Sequence, residues 1–328
     1  MDIDITIWAL VGFSLAAYAV VGNDALQTLG TFINSNEKLP WWALYLFAAT
    51  VLVIVFVLGY MQFDGDPSWG RLSNRDKYPE FEPQWYHVVP AFALLVLTRT
   101  GIPVSTSFMI LSIFATMAGM TSMIEKSLYA YIVSFVVGGV MYAFLAPTIE
   151  RHFLKTPQLA QKPVWILMQW VTTAYLWGVW LIQDFANIFI FLPRDLTLAE
   201  AVLGLVIINV MLLITFANRG GPVQKILKTK TSVTDIRSAT IIDFTYASLL
   251  AYFAYVSNTP MSTTWAFLGF IGGREFAIAT IDKIRSPRAT AKIVGMDVFK
   301  AFIGLVISVG LAVGLPLIAK GLAGQMGG

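Results

Sequence analysis

Residues 41–62, WWALYLFAATVLVIVFVLGYMQ, contain no charged side chain. About 20 predominantly apolar residues in a helix are enough to cross the hydrocarbon of a bilayer. Comparable runs recur along the chain, and they are continuous, without the in–out alternation that a closed barrel requires. Charged residues make up 12% of the whole, half the roughly 25% of soluble domains. The expectation is an all-α polytopic membrane protein. Cysteine is absent and only His87 and His152 supply imidazole, so thiolate chemistry is excluded and a His-rich metal centre is not expected. A net charge of +3, spread over loops, does not point to nucleic acid. The first ten residues lack a basic n-region, so residues 5–33 are read as a retained first membrane segment.

The apolar runs fall at about 5–33, 41–62, 126–149, 163–192, 198–217 and 296–319, with two further stretches at 87–119 and 238–281 that are polar in the middle. The first of these reads TRTGIPVSTS at its centre and the second YVSNTPMSTTW. Each arm of the first is too short for a perpendicular crossing, which predicts a re-entrant hairpin with a polar tip. The first segment is itself interrupted, by GNDALQTLGT at 22–31, and the fifth carries QDFANIF at 183–189.

These interruptions form a repeat. Asp24 and Asp184 are 160 positions apart, Ser105 and Ser262 157 apart, and the order is the same in both copies. Three crossings separate the copies, so the second is expected upside down with respect to the first: two inverted-topology repeats, 1–156 and 157–328, each with broken helices and a re-entrant hairpin. Sorted by this parity, the loops on one side carry thirteen Lys and Arg, and those on the other, with both termini, carry six. The richer side is expected in the cytoplasm, which leaves both termini outside. The compartment expected is a bacterial inner (plasma) membrane.

Ser and Thr cap helix N-termini and Pro favours helix starts. PVSTS and PMSTT therefore read as the beginnings of half-helices at mid-membrane, where Ser105, Thr106, Ser107, Ser262, Thr263 and Thr264 offer donors to an anion; the alternative is a kink or hydroxyl glue between helices. An ionised Asp in hydrocarbon is costly. Asp24 and Asp184, with Asn23, Thr28 and Asn187, are candidate ligands of a hard cation such as Na+, the alternative being a structural ion pair. Arg99, Asp243 and Arg274 are charges in apolar surroundings: Arg99 adjoins the first tip, Asp243 is a third cation ligand or a snorkelling side chain, and Arg274 with Glu275 reads as an interfacial ion pair.

With these residues in hand, the chain resembles the PiT family of cation-coupled inorganic phosphate transporters. GNDALQTLGT keeps that family's Asn-Asp pair and the following Gly30 and Thr31, QDFANIF keeps Asp184, Ala186 and Asn187, and GIPVSTS and TPMSTT match its second signature. The His that ends that signature is Phe108 in one copy and Trp265 in the other. The resemblance implies symport of phosphate, or a related oxyanion such as sulfate, with Na+ or H+. It also implies no enzymatic activity and no cofactor beyond the coupling ion. The expected partners are the anion, membrane lipid and a second copy of the chain. An anion channel and an intramembrane enzyme acting on a phosphorylated lipid are the competing functions. NRGGPVQK lacks the spacing of a nucleotide-binding loop, so the energy must come from an ion gradient or a separate subunit.

Overall fold

A computed structural model describes residues 5–99, 104–145, 149, 151–218, 235–256, 258–281, 283 and 286–326. Eleven helices are described: α1 (Ile7–Ser35), α2 (Trp41–Gln62), α3 (Trp85–Arg99), α4 (Thr106–Leu111), α5 (Met117–Leu145), α6 (Arg151–Lys155), α7 (Pro163–Phe189), α8 (Leu198–Ala217), α9 (Ile236–Val256), α10 (Thr263–Ile281) and α11 (Pro287–Met326). Among the described residues there are no strands. Six helices, α2, α5, α7, α8, α9 and α11, are long and apolar enough to span a membrane, and α1 makes a seventh if its two arms count together. Those arms, Ile7–Asn23 and Gln27–Ser35, meet at 52° across the Asn-Asp interruption.

The segments at 41–62 and 198–217 are found with the expected bounds. Others differ. The first polar-centred stretch is an unequal pair, α3 with 15 residues and α4 with only six, and α5 already begins at Met117 rather than near 126. In the second stretch α9 runs for 21 residues, long and apolar enough for a full crossing rather than half of one. The last helix has 40 residues with Pro316 inside it. At 1.5 Å per residue it is about 60 Å long, far beyond a hydrocarbon core of about 30 Å.

The helix pairing follows one scheme in both halves. Helix α1 packs on α3 of its own half and on α8 of the other, and α7 packs on α9 and on α2 in the same manner. The helix entered from each Ser-Thr tip crosses over: α10 lies along α5, and α4 against α11. The α5–α10 crossing is close enough for backbone to touch backbone. A Cβ on Gly273 would stand 1.8 Å from the Phe135 carbonyl oxygen, on Gly138 2.1 Å from that of Phe270, and on Gly269 2.3 Å from that of Tyr131. In hydrocarbon, where burial of apolar surface does not drive helices together, such contact between small residues is what holds them.

The connections cluster at two ends. At one end the α2–α3 and α7–α8 loops clasp each other: Leu196 N donates to Gly65 O at 3.2 Å, and Arg194 N to Glu80 Oε1 at 3.0 Å. At the other, Arg237 ties α9 to the α6 region through Phe153 O at 2.8 Å and Thr156 Oγ1 at 3.1 Å, with its guanidinium 4.2 Å from the Phe153 ring. Trp177 and Trp180 are buried in α7 and stacked 5.1 Å apart.

Candidate functional site

The two Ser-Thr tips meet inside the bundle. Ser105 caps α4, its hydroxyl accepting from Phe108 N at 3.2 Å, and Ser262 caps α10 by accepting from Trp265 N at 3.1 Å. These two hydroxyls are thus engaged by their own helices. Ser262 N in turn donates to Ser127 Oγ of α5 at 2.8 Å, and Tyr246 of α9 donates to Thr263 O at 3.1 Å. The tips join directly where Ser107 Oγ donates to Met261 O at 2.8 Å. Phe108 and Trp265, which stand where the resembled family has His, pack edge-to-face at 5.8 Å across this junction.

Helix α7 supplies the charge. Asp184 and Asn187 lie one turn apart on the same face, their side chains hydrogen-bonded to each other. Both are buried. Asn187 Nδ2 reaches Thr106 Oγ1 at 3.3 Å, and Ser107 Oγ reaches Asp184 Oδ1 at 3.5 Å. Thr263, from the other tip, lies beside Asp184. Among the described residues no ion pair includes Asp184, although Arg71 is within electrostatic reach of it. Among the described residues, Asp184 Oδ2, Asn187 Oδ1 and Thr263 Oγ1 are buried and make no hydrogen bond of good geometry, although Thr263 and Asp184 face each other, and Thr264 Oγ1, next along the tip, is buried in the same state. Buried polar atoms are nearly always paired in folded proteins, and an unpaired set marks the place of a water or an ion. One carboxylate among neutral oxygens is the donor set of a hard cation. Among the described residues there is no group of three or more His, Asp and Glu that could hold a metal.

The residues expected to hold a cation in the first half are placed less completely. Asn23 and Thr28 are buried on the two arms of α1, whereas the side chains of Asp24 and Arg99 lie outside the described residues. Asp243 is 2% exposed, which rules out snorkelling; it accepts from Thr173 Oγ1 at 3.1 Å and Thr31 Oγ1 at 3.2 Å. Arg274 is buried, with its guanidinium 5.7 Å from the Tyr142 ring and a long 3.8 Å contact to Glu275.

Sequence reasoning missed Arg71. The loop between α2 and α3 reads as solvated, yet Asp66, Ser68, Arg71, Leu72 and Tyr78 in it are buried. Asp66 folds it back, taking Ser68 N at 2.7 Å and Gly70 N at 3.2 Å on its two carboxylate oxygens. Gly70 follows with φ +67°, a conformation glycine adopts without strain. This turn delivers Arg71 to α7, where Nε donates to Ile182 O at 2.7 Å. Burial lowers the Arg71 guanidinium to about 10, partly offset by Asp184, so it is cationic at neutral pH. Asp66→Ala removes the carboxylate oxygens that accept from the Ser68 and Gly70 backbone N–H groups and is expected to lower stability by about 1–3 kcal/mol; the thermal midpoint in detergent measures it.

No family model matches the sequence, and no curated protein does. In fold the chain is similar to a solved structure described as the sodium-dependent phosphate transporter, with 15% identity, a TM-score of 0.64, and coverage of 96% of this chain and 98% of that one. The helical membrane architecture implied by the resemblance in sequence is therefore the architecture found.

Proposed function

We propose that the chain is a secondary active transporter that symports inorganic phosphate with Na+, binding both where the two Ser-Thr tips meet α7. The observation that carries this reading is the buried Asp184 carboxylate set among Ser107, Asn187 and Thr263, with oxygens there that no well-formed hydrogen bond among the described residues takes up. A bare carboxylate repels an anion, so a site combining Asp184 with anion-seeking hydroxyls makes sense when a cation binds with the anion. Asp184, Asn187, Thr263 and Thr264 would hold Na+; Thr106, Ser107 and the amides that begin α10 would face the phosphate, with Ser105 and Ser262 fixing the caps. Asp24, Asn23 and Thr28 form the equivalent cation position of the first repeat. A protonated oxyanion can in addition donate to a carboxylate, which favours hydrogen phosphate over sulfate.

The common pairing scheme of the two halves supports inverted repeats at 1–156 and 157–328. The Lys and Arg count supports a plasma-membrane orientation with both termini outside, which puts the loop carrying Arg71 on the outer face. The fold neighbour is described as a sodium-dependent phosphate transporter, which supports the same pair of substrates. Alternation of access follows if the interlocked α5–α10 pair moves as one body against α7.

Purified protein in proteoliposomes tests this. With Na+ imposed outside, labelled phosphate is expected to accumulate above its external concentration, and to fail to do so when K+ replaces Na+. Uptake that only equilibrates would indicate a channel, and competition by sulfate but not phosphate would change the substrate.

A further inference from the structure

Arg71 lies in a loop, is 3% exposed, and has no partner for its Nη1 among the described residues. Its Nε is spent on Ile182 O, two residues before Asp184 on α7. None of the ion pairs among the described residues includes it. A second cation stands close by. Lys126 of α5 is near enough for the two charges to repel, and its Nζ donates at 2.6 Å to Thr259 O, just ahead of the second tip. Thus Arg71, tied to Ile182 O of α7, and Lys126, tied to Thr259 O just ahead of the second tip, bring positive charge from two elements to the residues flanking the tip junction, and Arg71 keeps a buried donor without a partner among the described residues. Like charges are not brought together in a poorly hydrated place without something between them. The planar guanidinium fork suits an oxyanion, and Lys adds a point charge.

We propose that Arg71 is a ligand of the transported oxyanion, taking one of its oxygens on Nη1, with Lys126 supplying a second positive charge at the same spot. The α2–α3 loop then forms a wall of the binding site, and its folded turn at Asp66–Gly70 serves to hold that wall in place. The inference rests on the phosphate reading above and names the group that neutralises the anion from the loop side.

Equilibrium binding of radiolabelled inorganic phosphate to the purified full chain in saturating Na+ tests it, alongside the rise in thermal midpoint that Na+ alone produces. Arg71→Gln is expected to weaken phosphate at least tenfold while the Na+-induced rise persists, because Arg71 supplies no oxygen to the cation. Arg71→Lys keeps the charge without the fork and is expected to lose several-fold; it decides the matter should the Gln variant not fold. Lys126→Gln is expected to lose about threefold, in proportion to a charge without direct contact. Wild-type phosphate affinity in both Arg71 variants overturns the inference alone. Absence of phosphate binding in the unaltered protein overturns the reading beneath it.

Discussion

Asp184→Asn is expected to abolish Na+-driven phosphate accumulation, by a hundredfold or more, in a protein that still folds. The amide matches the carboxylate in shape and can still accept from Ser107 and pair with Asn187. What it removes is the negative charge of a buried side chain that no ion pair among the described residues neutralises. A hundredfold loss corresponds to about 2.7 kcal/mol, within the range for losing a charged partner in a buried site. Stability should move the other way. A buried carboxylate without a close counter-charge is costly, so the neutral variant is expected to melt at the same temperature or higher in Na+-free buffer. Two measurements check this: proteoliposome uptake, and the Na+-induced rise in thermal midpoint, which should vanish. A variant that still couples phosphate to Na+ normally would remove Asp184 from the cation site.

The second large effect is mechanical. Gly273→Ala puts a methyl carbon 1.8 Å from the Phe135 carbonyl oxygen and 2.9 Å from Gly139 N. Both are backbone atoms of α5, so no side-chain rotation relieves the clash; the helices must separate, and with them goes the contact that binds α10. The expected loss is about 3 kcal/mol or more, at the upper end of overpacking costs. Gly310 of α11 is the control. A Cβ there meets nothing within 4 Å, and Gly310→Ala is expected to leave the thermal midpoint within the scatter of surface changes, about 0.5 kcal/mol.

How far the sequence could be read depended on the physics of each stretch. Long apolar runs bounded by turn residues located α2 and α8 to the residue, because hydrophobic length in a bilayer leaves little choice. Ser105 and Ser262 were legible as caps because capping is local chemistry, decided within three residues. Asp184 and Asn187 stood out because polar groups in hydrocarbon demand a reason, and they do share a face with the tips. Arg71 was invisible for the opposite reason: arginine in a Gly- and Asp-rich loop is unremarkable in sequence, and only the fold of 66–71 onto α7 buries it. Asp243 was ambiguous until α1 and α7 brought Thr31 and Thr173 to it, which is long-range information. The extent of α5 and the unequal arms of the first hairpin were misread because the break between α4 and α5, SIFAT at 112–116, is itself largely apolar and does not announce that a helix has ended.

The crossing of α5 with α10 has a consequence for how the chain is made. Helix α5 leaves the ribosome more than a hundred residues before the glycines of α10 that it must meet. Until then its surface around Phe135–Gly139 faces lipid with no backbone neighbour, and the first half is an incomplete object, waiting in the membrane. Assembly therefore finishes late, when α10 slides against α5 and draws the two tips together. Residues 1–156 and 157–328 made as separate chains should be short-lived alone and should rescue each other when made together.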